Sequence, residues 1–241
     1  VLPPPSASDL EDLDGVLGRL RGEDATARES AATEVLEAKP SWVAAIDKRM
    51  NEIADKTNRD DMRRVLEGAR TKARTAEREK LEASGKRGKI ETPDYLAILV
   101  QNAQPKSKPW GDAVAVVAMS RMLATIGTVE AARELIDVHT RFGDFLRVDV
   151  QLQLSKMGDK AVAALIEATG GQPPPEAFVD AVYEVSEGNP FFVAEILRNL
   201  ETPETRDVVH QRIGSLLPNY HELRQSVKPI LRGTGLGAFL G

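Results

Sequence analysis

The sequence contains no cysteine. Disulfide frameworks, thiolate zinc sites, iron–sulfur clusters and cysteine nucleophiles are therefore excluded. Aromatic residues make up 5% of the chain, and none falls between Trp42 and Tyr95. Stacking platforms for nucleic-acid bases are correspondingly scarce. No run approaches the roughly 18 apolar residues that cross a bilayer. No segment follows the phosphate-loop pattern G-x-x-x-x-G-K-[ST]. Gly85-Lys86-Arg87-Gly88-Lys89-Ile90 has the wrong spacing and lacks the hydroxyl after the lysine. His139, His210 and His221 are the only histidines. A zinc site needs two or three imidazoles converging with a carboxylate, so these are read as surface or packing residues. Neither sign of charge dominates: 32 Lys plus Arg face 37 Asp plus Glu, a net charge of −5. That balance gives no global pull toward nucleic acid or an anionic membrane.

What remains has a helical composition. The 241 residues are 41% hydrophobic and 29% charged, rich in the good helix formers Ala, Leu, Glu and Arg. The length allows one or two domains with a real core. The first residue is Val1, with no charged-then-apolar leader behind it. The expectation is a processed, trimmed or excised chain. A cysteine-free chain suits cytoplasm and bacterial periplasm alike, and cytoplasm is the expected compartment.

Residues 1–7 read as a Pro/Ser/Ala lead-in without order. Residues 8–91 read as charged N-terminal helices. Ser8-Asp9-Leu10-Glu11 has the form of a capping box, followed by Leu10, Leu13, Leu17 and Leu20 on one face. Gly22 stops that helix, and Asp24 caps the next, with Ala31, Ala32, Val35 and Leu36 inward. After Pro40-Ser41, the residues Trp42, Val43, Ile46, Met50 and Ile53 keep helical spacing. Residues 58–84 predict a long charged helix with a thin apolar stripe: Met62, Val65, Leu66, Ala69, Ala73 and Ala76. Asp60–Arg64 and Arg63–Glu67 are its i,i+4 pairs.

Residues 92–171 differ in character. Thr92-Pro93-Asp94 predicts a helix start capped at Thr92. Ala113–Leu123 is almost wholly apolar, the mark of a helix buried on all sides. A repeat then appears at an offset of 31, pairing Leu123 with Leu154, Gly127 with Gly158, and Leu135 with Ile166. Each copy predicts a helix ending at a left-handed glycine, followed by a second helix capped by Thr128 or Asp159. One such hairpin cannot bury its own apolar face, so neighbours must stack. The run from Phe145 through Leu154, Met157, Gly158 and Val162 to Ile166 resembles a HEAT-type repeat. The resemblance covers about 115–168. It implies a non-enzymatic α-solenoid that binds protein partners along a concave surface.

Gly170-Gly171 and Pro173-Pro174-Pro175 mark the strongest boundary. Residues 172–232 then read as a C-terminal four-helix segment, and 233–241 as a Gly-rich tail. Residues 181–198, with Gly188-Asn189-Pro190-Phe191-Phe192 at their centre, resemble the helical lid of STAND-type signalling ATPases. Arg212 to Pro218 resembles the next helix of that lid. The resemblance implies that Gly188, Asn189 and Pro190 lie near a nucleotide. That family also needs a phosphate loop and an acidic strand upstream, which this chain lacks, so ATP hydrolysis by the chain alone is not expected.

Other apparent motifs dissolve on their context. Gly233-Thr234-Gly235-Leu236-Gly237-Ala238 matches a dinucleotide fingerprint as a string, but no strand precedes it. Residues 70–89 hold Arg70, Lys72, Arg74, Arg78, Lys80, Lys86, Arg87 and Lys89 against Glu77, Glu79 and Glu82. That local basic excess has the charge to contact phosphates, but a solvated helix face is the preferred reading. Trp42 and Trp110, at predicted helix starts, read as core anchors. One of the two rings Phe191 and Phe192 is expected to pack inward, leaving the other for a partner. Adjacent carboxylates such as Asp60-Asp61 and Glu11-Asp12 point apart on a helix and form no acid–base pair.

The expected fold is therefore all-α, with stacked antiparallel helical hairpins in a HEAT-like α-solenoid. The expected function is a non-enzymatic scaffold for protein–protein interaction, with no catalytic residue, metal or cofactor. The alternative is a nucleotide-sensing lid module. A protein partner is expected, nucleic acid is disfavoured, and no membrane span is foreseen.

Overall fold

A computed structural model describes residues 2–84 and 94–170, together with residues 179, 180, 182, 183, 186, 192 and 193. The fold is all-α. Among the described residues there are nine α-helices, three short 3-10 turns and no strand. The chain divides into two compact units: Val1–Thr125 with Arg141–Asp149, and Ile126–Thr140 with Val150–Gly241.

The first unit opens with α1 (Ala7–Arg21). Its cap is Ser6, two residues before the capping box expected at Ser8. The Ser6 hydroxyl accepts from the Asp9 amide at 3.0 Å and donates to the Asp9 carboxylate at 2.6 Å. Asp9, at the third helical position, bonds the Ser6 hydroxyl rather than the Ser6 backbone amide of a capping box, and the register shift costs nothing in apolar pattern. Leu13, Leu17 and Leu20 are buried as a stripe. Asp24 caps α2 (Ala25–Glu34) by accepting from the amides of Thr26 and Ala27. The following 3-10 turn buries Val35 but leaves Leu36 half exposed. Its tighter winding, three residues per turn, rotates Leu36 off the inward face.

Trp42 leads α3 (Val43–Lys56), which buries Val43, Ile46, Met50 and Ile53 as spaced. α4 (Arg59–Ser84) follows, with Met62, Leu66 and Ala69 buried. Arg64 pairs with Asp61 at 3.1 Å rather than with Asp60. Arg63 reaches Glu67 at 3.6 Å, as its spacing predicts. α5 (Tyr95–Gln101) is capped by Asp94, whose carboxylate accepts from the Ala97 amide at 3.1 Å. The cap is thus Asp94 and not Thr92.

α6 (Lys108–Ile126) is buried over most of its length, and its run from Asp112 to Ser120 is entirely buried. Within this unit α1 packs on α2 and α3, α2 on α5, and α4 on α5. Each fully buried Leu or Val contributes on the order of 1.5–3 kcal/mol relative to exposure. No helix among the described residues is long and apolar enough to cross a membrane.

The second unit carries two left-handed glycine turns. Gly127 has φ 66° and Gly158 has φ 58°, the left-handed region that a Cβ disfavours. Thr128 accepts from the Ala131 amide at 3.2 Å and so caps α7 (Val129–Phe142). α8 is Arg147–Ser155. Asp159 is the first residue of α9 (Asp159–Gly170) and not its cap. Its carboxylate there still complements the positive end of the helix. Ala131, Leu135, Leu154, Val162 and Ile166 are buried. Arg133 ties α7 to α9 through the Glu167 carboxylate, with Nε at 3.0 Å.

Candidate functional site

The residues named from sequence divide sharply. Gly188, Asn189 and Pro190 lie outside the described residues, as do His210, His221, Phe191, the tail from Gly233, and Lys86, Arg87 and Lys89. The His139 side chain is likewise outside them. Among the described residues no group of three His, Asp or Glu side chains could hold a metal ion. Phe192 is 59% exposed. Trp42 and Trp110 are buried, as expected of core anchors.

The basic segment is used in two different ways. Arg70 does not face solvent freely: its guanidinium lies 5.1 Å from the centroid of the Tyr95 ring. From Thr71 to Ser84, by contrast, every residue is exposed except Ala73 and Leu81, which are half-buried. This half of α4 is a bare rod whose first half is anchored by Met62 and Leu66.

The start of α6 is the polar hub of the first unit. The Trp110 indole N–H donates to the Leu99 carbonyl at 3.0 Å. The Arg21 Nε donates to the Gly111 carbonyl at 3.0 Å. The Asp112 carboxylate accepts from the Thr57 hydroxyl and from the Lys108 ammonium, each at 2.6 Å. Lys108 also reaches the Lys56 carbonyl at 3.3 Å. Helices α1 and α5 and the C-cap of α3 thereby converge on three consecutive residues of α6. Burial lowers the pKa of the Arg21 guanidinium, with Asp112 and Asp14 opposing the shift. Burial likewise pushes the Tyr95 phenol up, while Arg70 opposes it.

Beside this hub lies a half-enclosed cleft of about 240 Å³. One wall is α4, with Arg64, Val65, Gly68, Ala69 and Lys72. Leu99, Asn102, Gln104 and Trp110 line the rest of the cleft. Lys72 has no acidic partner among the described residues. The Asn102 side-chain amide donates to the Ile98 carbonyl at 3.0 Å, which leaves its oxygen as an acceptor. Sequence reasoning missed both the hub and the cleft. The available signals were Lys108 and Asp112 one turn apart, and a glycine at 68 inside an otherwise strong helix pattern.

No protein-family model, curated protein or solved structure matches this chain.

Proposed function

We propose that this protein is a non-enzymatic helical-repeat scaffold that binds a protein partner. The stacked, HEAT-like arrangement of hairpins is part of the proposal. It draws support from the two left-handed glycine turns at Gly127 and Gly158, which recur in the register read from the sequence.

One observation carries the reading: the exposed rod of α4 from Thr71 to Ser84. Isolated helices shorter than about 12–15 residues are marginal in water. A rod of this length, anchored among the described residues at its base, gains stability when a second surface covers it. Its Ala73, Ala76 and Ala83 would let a partner helix approach closely, and its flanking charges would set orientation.

The test is photo-crosslinking in the native cell, with a benzophenone amino acid at Thr75 and, as a control, at the exposed Glu29 of α2. A discrete protein adduct from Thr75 and none from Glu29 is the expected result. Absence of any adduct, together with a rise in melting temperature on adding ADP, would replace the scaffold by the nucleotide-sensing lid reading built on Gly188, Asn189 and Pro190.

A further inference from the structure

We propose that the cleft at Gly68 receives one apolar side chain from an acidic segment of the partner protein, an inference that rests on the scaffold reading above. Gly68 lies in the interior of the 26-residue helix α4. Glycine there is about 1 kcal/mol less favourable than alanine. Its backbone does not need glycine, since the positive-φ glycines among the described residues are Gly127, Gly143 and Gly158. Internal packing does not need it either, because a Cβ at Gly68 would meet nothing within 4 Å. What the missing side chain does is keep the cleft open.

The size of that opening selects the occupant. At about 240 Å³, it falls below the ~300–1,000 Å³ typical of small-molecule and cofactor sites. A single side chain suits it better than a nucleotide. The chemistry is equally selective. The buried apolar residues Leu99 and Trp110 belong to the cleft's lining. Arg64 and Lys72 stand one turn to either side of Gly68. Lys72 is unpaired among the described residues, and Arg64 meets only the partly exposed Asp61. The Asn102 oxygen can accept from a backbone N–H of the incoming segment. Between residues 64 and 74 the helix carries Arg64, Arg70, Lys72 and Arg74 against Glu67 alone, on a chain whose net charge is −5. An acidic segment is attracted to this strip and a basic one is repelled.

The test uses the full chain and two probe peptides, acetyl-Glu-Glu-Leu-Glu-Glu-amide and acetyl-Lys-Lys-Leu-Lys-Lys-amide, with free glutarate as a third probe. Amide and indole resonances of Gly68 and Trp110 report occupancy. The acidic peptide is expected to shift both, and the basic peptide neither. Lys72→Glu should weaken the acidic peptide by about tenfold or more. Gly68→Leu, whose Cβ meets nothing within 4 Å and which favours the helix, should fill the cleft, abolish binding and keep the fold.

No shift at Gly68 and Trp110 up to about 10 mM acidic peptide, well past the weakest affinities of interest, overturns the proposal. So does binding unaffected by Gly68→Leu. Equal shifts with glutarate would make the cleft a small-anion site and overturn segment docking. A Thr75 crosslink that persists undiminished in Gly68→Leu would overturn the cleft alone and leave the scaffold standing. Loss of the crosslink in the unsubstituted chain would remove both.

Discussion

The indole N–H of Trp110 donates to the carbonyl of Leu99 at 3.0 Å, and both residues are buried. Leu99 stands in the last turn of α5 (Tyr95–Gln101), where carbonyls lack an intrahelical donor. Trp110 supplies that donor from the first turn of α6. One contact therefore closes the end of one helix with the start of the next and joins two residues that line the cleft at Gly68.

Trp110→Phe should cost about 2–4 kcal/mol, combining lost volume with a buried carbonyl left unpaired. Urea denaturation followed by circular dichroism measures it. A loss under about 0.5 kcal/mol, the range of a neutral surface change, would contradict the role assigned to this bond.

Thr57→Val and Lys108→Met both strip a donor from the same Asp112 oxygen. Asp112 is 9% exposed. Thr57→Val should cost about 1–2 kcal/mol. The largely exposed Lys108 should cost less, about 0.5 kcal/mol. Because the two donors share one acceptor, the double variant should depart from additivity. Strict additivity would show that Asp112 is not their meeting point.

Three glycines should respond in opposite senses. Gly127→Ala and Gly158→Ala force a Cβ into the left-handed region and should each destabilise by about 1–2 kcal/mol. Gly68→Ala has open space and should stabilise by about 0.5–1 kcal/mol. Thermal melts of the three single variants decide it. A destabilised Gly68→Ala would show that the position is packed after all.

Tyr95 gives a pH signature. Burial raises its folded pKa above the ordinary 10.0. Its contribution is therefore fully present below about pH 10, and is lost as pH rises from the unfolded value through the folded one. Tyr95→Phe should leave stability at pH 7 equal or higher, since it removes a buried hydroxyl that lacks a hydrogen-bond partner. It should also remove part of the decline above pH 10. The difference between the two chains, followed by denaturation from pH 8 to 11, should be flat and then widen in favour of Phe.

The all-helical class and most helix positions were legible in the sequence because they follow from apolar spacing and from glycine. Leu13, Leu17 and Leu20, the buried run of α6, and Gly127 and Gly158 are where periodicity and conformation act locally. Caps were less legible. Ser6 and Ser8, or Thr92 and Asp94, are chemically equivalent caps, and only tertiary packing selects between them. The hub and the cleft were not legible. Thr57 lies 55 residues from Asp112, and Arg21 lies 90 from Gly111. Nothing in a local pattern announces a pairing of that range.

The account stands most directly on whether the exposed half of α4 is covered in the working protein. Hydrogen–deuterium exchange should be measured on the full chain purified with its bound partner from the native cell, and again after the partner is stripped by salt. The account predicts that residues 71–84 are slowed in the complex by about tenfold or more and return to fast exchange when stripped. Unchanged exchange across 71–84, with protection confined to other segments, would contradict it.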